Sequence, residues 1–122
     1  MDLKGVMEQQ VFAVVGNTTD PEKYACKIKN ALLQNGYTAY GVSRELKELN
    51  EVPEEIDVID LCIHPAFGIE LMKVCRRSFK MIVIQPGAES EELLQYLEQQ
   101  HYPYMQGCLL VGLSLYKGAK IA

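Results

Sequence analysis

An α/β domain built on a doubly wound parallel sheet is the fold this sequence predicts, and three observations predict it. Short runs of apolar, largely β-branched residues recur along the chain, as strands buried on both faces require. Longer amphipathic segments separate these runs, at the length of crossover helices. The joints carry Gly, Pro and Asn in turn positions. With right-handed crossovers and about five strands, the simplest strand order is 2-1-3-4-5. The chain of 122 residues suits one domain, residues 1–122, and 48% hydrophobic against 23% charged residues excludes a disordered one.

Val11-Phe12-Ala13-Val14-Val15 reads as the first buried strand and stops at Gly16. Asn17 to Pro21 is a turn leading into a helix, with Asp20 placed to cap it and Pro21 suited to the first helical position. Tyr24, Ala25, Ile28, Ala31 and Leu32 share one helical face, and Asn35-Gly36 ends the helix. Tyr37 to Val42 is a second strand. The polar segment Ser43 to Glu55 has room for one helical turn before Pro53. Ile56 to Ile63 is the third strand and Pro65 to Ser78 the next helix, burying Leu71, Met72 and Cys75. Met81-Ile82-Val83-Ile84 is the fourth strand, ended by Gln85-Pro86-Gly87. Ser90 caps a helix with Glu91 and Glu92 in its first turn, where negative charge suits the dipole, and Leu93, Leu94 and Leu97 form its inner face. A short fifth strand falls at Tyr104-Met105-Gln106. The apolar stretch from Cys108 to Ala122 has no clear element type; it is a candidate to cover the sheet edge or to form a homodimer contact. Together these elements describe a three-layer, Rossmann-like fold.

A net charge of −4 argues against a general nucleic-acid binder, although it leaves room for one local anion pocket. No apolar run approaches the ~18 residues of a membrane span. The charged, interrupted start Met1 to Glu8 does not read as a secretory leader, so a cytoplasmic protein is expected. Cys26, Cys62, Cys75 and Cys108 form no C-x-x-C pair. They fit small thiols in a reducing compartment, and with only His64 and His101 beside them no metal site is expected.

In an open parallel sheet a ligand sits at the carboxyl ends of the strands, where the strand order reverses. Gly16-Asn17-Thr18, Val42-Ser43-Arg44, Ile63-His64-Pro65 and Gln85-Pro86-Gly87 line that crevice. Free amides at the helix after Gly16 favour a phosphate, Gly16 allows close approach, and Thr18 and Thr19 add hydroxyl donors. On this reading Gly16→Val abolishes binding and leaves the fold intact. The G-x-G-x-x-G fingerprint is missing, and Asp20 competes for the same amides. Ser43-Arg44 stands where NAD-binding domains place an acid. A cation there suits a ribose that carries a phosphate, as in coenzyme A or NADP; the competing reading is that Arg44 belongs to a solvated surface.

Ala13-Val14-Val15-Gly16, the turn from Thr18 to Tyr24, Ile59-Asp60 and Gln85-Pro86-Gly87 together resemble the bacterial CoA-binding domain family. That family is Rossmann-like and similar to the N-terminal domain of the succinyl-CoA ligase α subunit, and the likeness runs from about Val11 to Cys108. Its Gly-x-Ser followed by Pro-Glu-Arg-x-Ser-Tyr is here Gly16-Asn17-Thr18 and Pro21-Glu22-Lys23-Tyr24; the loop is shorter and lacks one Ser. Its Val-Asn-Pro is here Val42-Ser43-Arg44, and its short strand before the Ile-Pro is missing. Gln85, Gly87 and the late Cys108 match. The resemblance implies binding of CoA or acyl-CoA by Gly16, Asn17, Thr18, Lys23, Tyr24, Val42, Ser43, Arg44, His64, Pro65, Gln85 and Gly87.

No nucleophile elbow, P-loop or zinc-helix motif is present. His64 is the one candidate general base, and a histidine capping the following helix is the plainer reading. The expectation is a small CoA-binding protein without evident catalytic residues. Two alternatives stay open: an NADP- or nucleotide-dependent enzyme or redox sensor, and an interaction protein that has lost its ligand.

Overall fold

In the computed structural model, which describes residues 1–116, strands β1 (Val11–Gly16), β2 (Thr38–Ser43), β3 (Val58–Cys62), β4 (Met81–Ile84) and β5 (Tyr104–Gln106) pair in parallel. Their order is β2-β1-β3-β4-β5, as expected from the sequence. Register brings the strand ends level at the centre: Gly16 stands opposite Ser43 on one side and Cys62 on the other.

β1 is apolar without a break because helices cover both faces of the sheet. Ala13 and Val15 join a core with Met72, Leu93 and Leu97, from α3 (Pro65–Val74) and α4 (Glu91–Gln99). Phe12 and Val14 join a second core with Met7, Ile28, Leu32, Leu109 and Leu113, from α1 (Leu3–Met7), α2 (Tyr24–Gln34) and α5 (Leu109–Tyr116). A fully buried Leu or Ile contributes roughly 1.5–3 kcal/mol, against about 0–1 for an exposed ion pair. The two cores therefore hold the sheet, and the half-exposed Lys29–Glu45 pair at 2.6 Å is secondary.

Several boundaries differ from the sequence reading. Asp20 does not cap α2, and Pro21 is not its first residue; α2 begins at Tyr24, with Lys23 at the N-cap and no side chain capping it. Asp20 Oδ1 instead accepts from the Glu22 amide at 2.9 Å, and its carbonyl accepts from the Lys23 amide at 3.0 Å. Asn17 Oδ1 takes the Thr19 and Asp20 amides at 3.3 and 3.2 Å. Successive Asx turns thus use the amides that an earlier helix start would have left free.

α3 ends at Val74 and not at Ser78. The Asn50 carboxamide accepts from the Arg76 amide and donates to the Val74 carbonyl, each at 2.9 Å. Arg77 reaches back to the Val52 carbonyl at 2.6 Å. These long-range bonds replace the next helical turn and tie down the segment holding the 3₁₀ turn Leu49–Glu51.

α1 was not expected: Asp2 caps it through the Gly5 amide at 2.9 Å, and Val6 and Met7 are buried. The apolar C-terminal stretch forms α5, which lies over a face of the sheet among α1 and α2 and not along its edge. Residues 117–122 at the end of that stretch lie outside the described residues.

Candidate functional site

At the carboxyl end of the sheet the backbone of β3 and the Ala25 side chain of α2 converge on Gly16 of β1. A Cβ there would collide with the Cys62 carbonyl oxygen and stand 2.8 Å from the Ala25 Cβ. The close approach that Gly16 permits is to its own neighbouring strand, so Gly16→Val disturbs the fold itself. This corrects the expectation of a silent scaffold.

Three cavities run along this edge. The first, about 570 Å³, is lined by Asn17, Ser43 and Arg44 on the β1–β2 side and by Ile63, His64, Phe67, Glu70, Leu71 and Val74 on the α3 side. Ser43 has φ 103°, a conformation that residues with a Cβ seldom adopt, and its amide donates to the Leu46 carbonyl at 2.6 Å. That bend presents Arg44, whose side chain is exposed and makes no hydrogen bond or ion pair among the described residues. His64 is the N-cap of α3, its Nδ1 accepting from the Ala66 amide at 3.1 Å, which places the ring proton on Nε2. Its ring meets Phe67 edge-on at 6.1 Å, and Phe67 is 62% exposed.

The second cavity, about 240 Å³, shares Ile63 and His64 with the first and adds Cys62, Pro86, Gly87 and Ala88. Its rim is a type II turn: Pro86 precedes Gly87 at φ 91°, and the Ala88 amide donates to the Gln85 carbonyl at 2.9 Å. The third, about 220 Å³, shares Cys62 and Pro86 with the second and adds Tyr24, Gln85 and Cys108. His64 and then Cys62 with Pro86 thus join the cavities into one track across the sheet edge.

Beneath this track lies a polar pair in the core. Gln85 Nε2 donates to Asp60 Oδ1 at 2.6 Å, and Oδ2 of the fully buried Asp60 has no partner among the described residues. Burial pushes the Asp60 carboxyl up to about 7, with the Gln85 hydrogen bond pulling the other way. Burial also pushes the Cys62 thiol up to about 12, reinforced by the charges of Asp60 and Cys108.

The residues singled out in the sequence divide accordingly. Asn17, Ser43, Arg44 and His64 meet in the first cavity, Gly87 joins His64 in the second, and Tyr24 and Gln85 line the third. Pro65 is the first residue of α3 and lines a side pocket with His64. Val42 is wholly buried, and Lys23 is exposed but lines none of the three cavities. The two hydroxyls expected in the crevice go elsewhere: Thr18 Oγ1 is buried against Gly41 with no partner among the described residues, and Thr19, which is exposed, donates from Oγ1 to Asn17 Oδ1 at 3.0 Å. The amides free of side-chain caps are those opening α2 at Tyr24, beside the third cavity, and not those of residues 19 and 20. Phe67 and Asp60 were missed as site residues. An acid inside the apolar run Ile59-Asp60-Leu61 was the available signal for the second.

The fold is that of a doubly wound α/β domain, with a crevice at the switch point of the sheet. A family model described as the CoA binding domain matches residues 10–114, and the chain belongs to that family. A conserved hypothetical protein of Pyrococcus furiosus is 32% identical, with a TM-score of 0.75 over 84% of this chain and 98% of that one. A hypothetical protein from Pyrococcus horikoshii (19% identical, TM-score 0.81, 94% and 89% covered) shares the fold. So does a Thermus thermophilus protein (19% identical, TM-score 0.78, 95% and 99% covered). No curated protein matches the chain. Among the described residues no helix is long and apolar enough to cross a membrane.

Proposed function

We propose that this protein binds coenzyme A or an acyl-CoA along the track of three cavities. The observation that carries the reading is the polarity of that track. One end offers an exposed guanidinium, Arg44, without a partner among the described residues, and an exposed ring, Phe67; the other is a small chamber walled by Tyr24, Pro86 and two thiols. An elongated ligand with a phosphorylated nucleoside at one end and a narrow thiol-bearing arm at the other fits that order. Arg44 would hold the ribose phosphate by charge-assisted hydrogen bonds, and Phe67 would stack on the base. NAD is disfavoured, because β2 ends in Ser43-Arg44 without an acid for a free ribose hydroxyl. The reading is one of binding and not of turnover: His64 commits Nδ1 to capping α3, and no carboxylate among the described residues bonds to its ring.

Thermal-shift titrations with CoA, dephospho-CoA, NADP and NAD test this. A ligand at ~100 times its dissociation constant adds about 2.7 kcal/mol, well within detection. The expected result is a shift with CoA that shrinks with dephospho-CoA. In calorimetry Arg44→Ala should weaken CoA about tenfold, roughly 1.4 kcal/mol, and dephospho-CoA less. Lys23→Ala should do less, since Lys23 lines no part of the track. Equal losses for both ligands would remove Arg44 from the phosphate site. A shift with NADP alone would favour the nucleotide-dependent alternative, and no shift with any of the four would favour an interaction protein.

A further inference from the structure

Building on the CoA reading, we propose that the third cavity is a thiol-exchange chamber, in which Cys108 takes up the CoA sulfur as a mixed disulfide. Two of the chain's four cysteines, Cys62 and Cys108, form its wall together with Tyr24, Gln85 and Pro86. They come from elements far apart in sequence, the end of β3 and the joint between β5 and α5, so the fold and not local spacing assembles them. Cys26 and Cys75, also free thiols, line no part of the track. The chamber lies at the end of the track away from Arg44, reached past Cys62 and Pro86. A ligand anchored by its phosphates beside Arg44 directs its other terminus towards this end.

The two thiols are not equivalent. Cys62 continues a buried strand two residues beyond Asp60, on the same face of the sheet. Burial and the neighbouring Asp60 hold it in the thiol form, which is a poor nucleophile. The wholly buried, half-partnered Asp60 carboxyl is kept in place by Gln85, itself part of the chamber wall. Cys108 is free of the sheet; it immediately precedes α5, and its carbonyl accepts from the Gly112 amide at 3.0 Å. It is half-buried and faces the same space. Cys108 is therefore the attacking sulfur.

The step balances with CoA disulfide as co-reactant. The Cys108 thiolate attacks one sulfur of that disulfide, and the CoA S–S bond breaks as the Cys108–CoA S–S bond forms. The second CoA leaves as a thiolate and takes up the proton that Cys108 released. One disulfide is consumed and one is made, so no further oxidant enters.

The experiment incubates the reduced full-length protein with CoA disulfide and follows intact mass, with reduced CoA titrated in parallel by thermal shift. The expected product carries one CoA less two hydrogen atoms, is reversed by dithiothreitol, and maps by peptide mass to Cys108. It should form at least roughly tenfold faster than the adduct with oxidised glutathione, and desulfo-CoA should slow it by competition. Cys108→Ser, checked as folded by its circular dichroism, should give no adduct; the Cys26→Ser/Cys75→Ser double variant should keep it. CoA binding without an adduct, or an adduct mapping to any other cysteine, overturns the proposal and leaves the binding reading standing. So does an adduct that glutathione forms equally fast and desulfo-CoA does not slow. Failure of reduced CoA to shift the melting temperature, with no adduct, overturns both.

Discussion

Ser43 shows at the scale of one residue how the site is held. Its φ of 103° costs of the order of 1–3 kcal/mol for a residue with a Cβ. The bend is retained where it turns Arg44 into the largest of the three cavities. Ser43→Gly should relieve that strain and raise stability by about 1 kcal/mol, read as an increase in the urea midpoint at unchanged m-value. An unchanged midpoint would mean that the surrounding loop, and not the Cβ, sets the conformation. Neither this bend nor the inward turn of the Thr18 hydroxyl can be read from Ser or Thr in a sequence, because both depend on what lies opposite. Gly41 is the example: a Cβ there would collide with Thr18 Oγ and stand 2.7 Å from Glu45 Oε2.

At the scale of elements, two glycines set how helices and strands approach one another. Gly16→Val places a branched side chain against the Cys62 carbonyl and Ala25. Overpacking of this kind typically costs 1–3 kcal/mol, and more against backbone. The variant should therefore melt well below the parent even without ligand; an unchanged melting temperature would return Gly16 to a purely ligand-facing role. Gly112 does the same for α1 on α5, since its Cβ would stand 2.7 Å from Met7 Sδ. Gly112→Leu should destabilise by about 1–3 kcal/mol, less if the flexible Met7 side chain moves aside; the urea midpoint measures this. β1, β4 and α4 were legible because their patterns are unbroken: five apolar residues before Gly16, four in β4, and Ser90 capping Leu93 at 3.1 Å. α1 was not, because five residues carry too little periodicity to stand out. The true end of α3 was hidden for another reason: Asn50 and Arg77 compete for it from elsewhere in the chain.

At the scale of the whole molecule, one buried acid gives stability a dependence on pH. The Asp60 carboxyl is raised by burial to about 7 in the folded state, against an ordinary value of 3.8. Between those values the folded protein holds a proton that the unfolded chain has released. Stability therefore falls as pH rises from about 4 to about 7 and then levels off. Asp60→Asn should remove that contribution, so the loss in melting temperature between about pH 5 and about pH 8 should shrink in the variant. An equal loss in both proteins would assign the dependence to other groups.

The alternation of buried runs with amphipathic segments, read from the sequence alone, determined the layer architecture and the strand order, because a parallel strand covered on both faces has few other ways to be written. It also brought out Ser43, Arg44 and His64 at the ends of their strands, since chain ends at a switch point follow from topology. Only the tertiary structure decided which of the crevice residues share a cavity. It buried Val42 and Thr18, left Lys23 outside, set Phe67 beside His64, and brought Cys108 to Cys62. Most of those relations join positions tens of residues apart, and the burial and backbone closure that create them exist only once the sheet and its helices have packed.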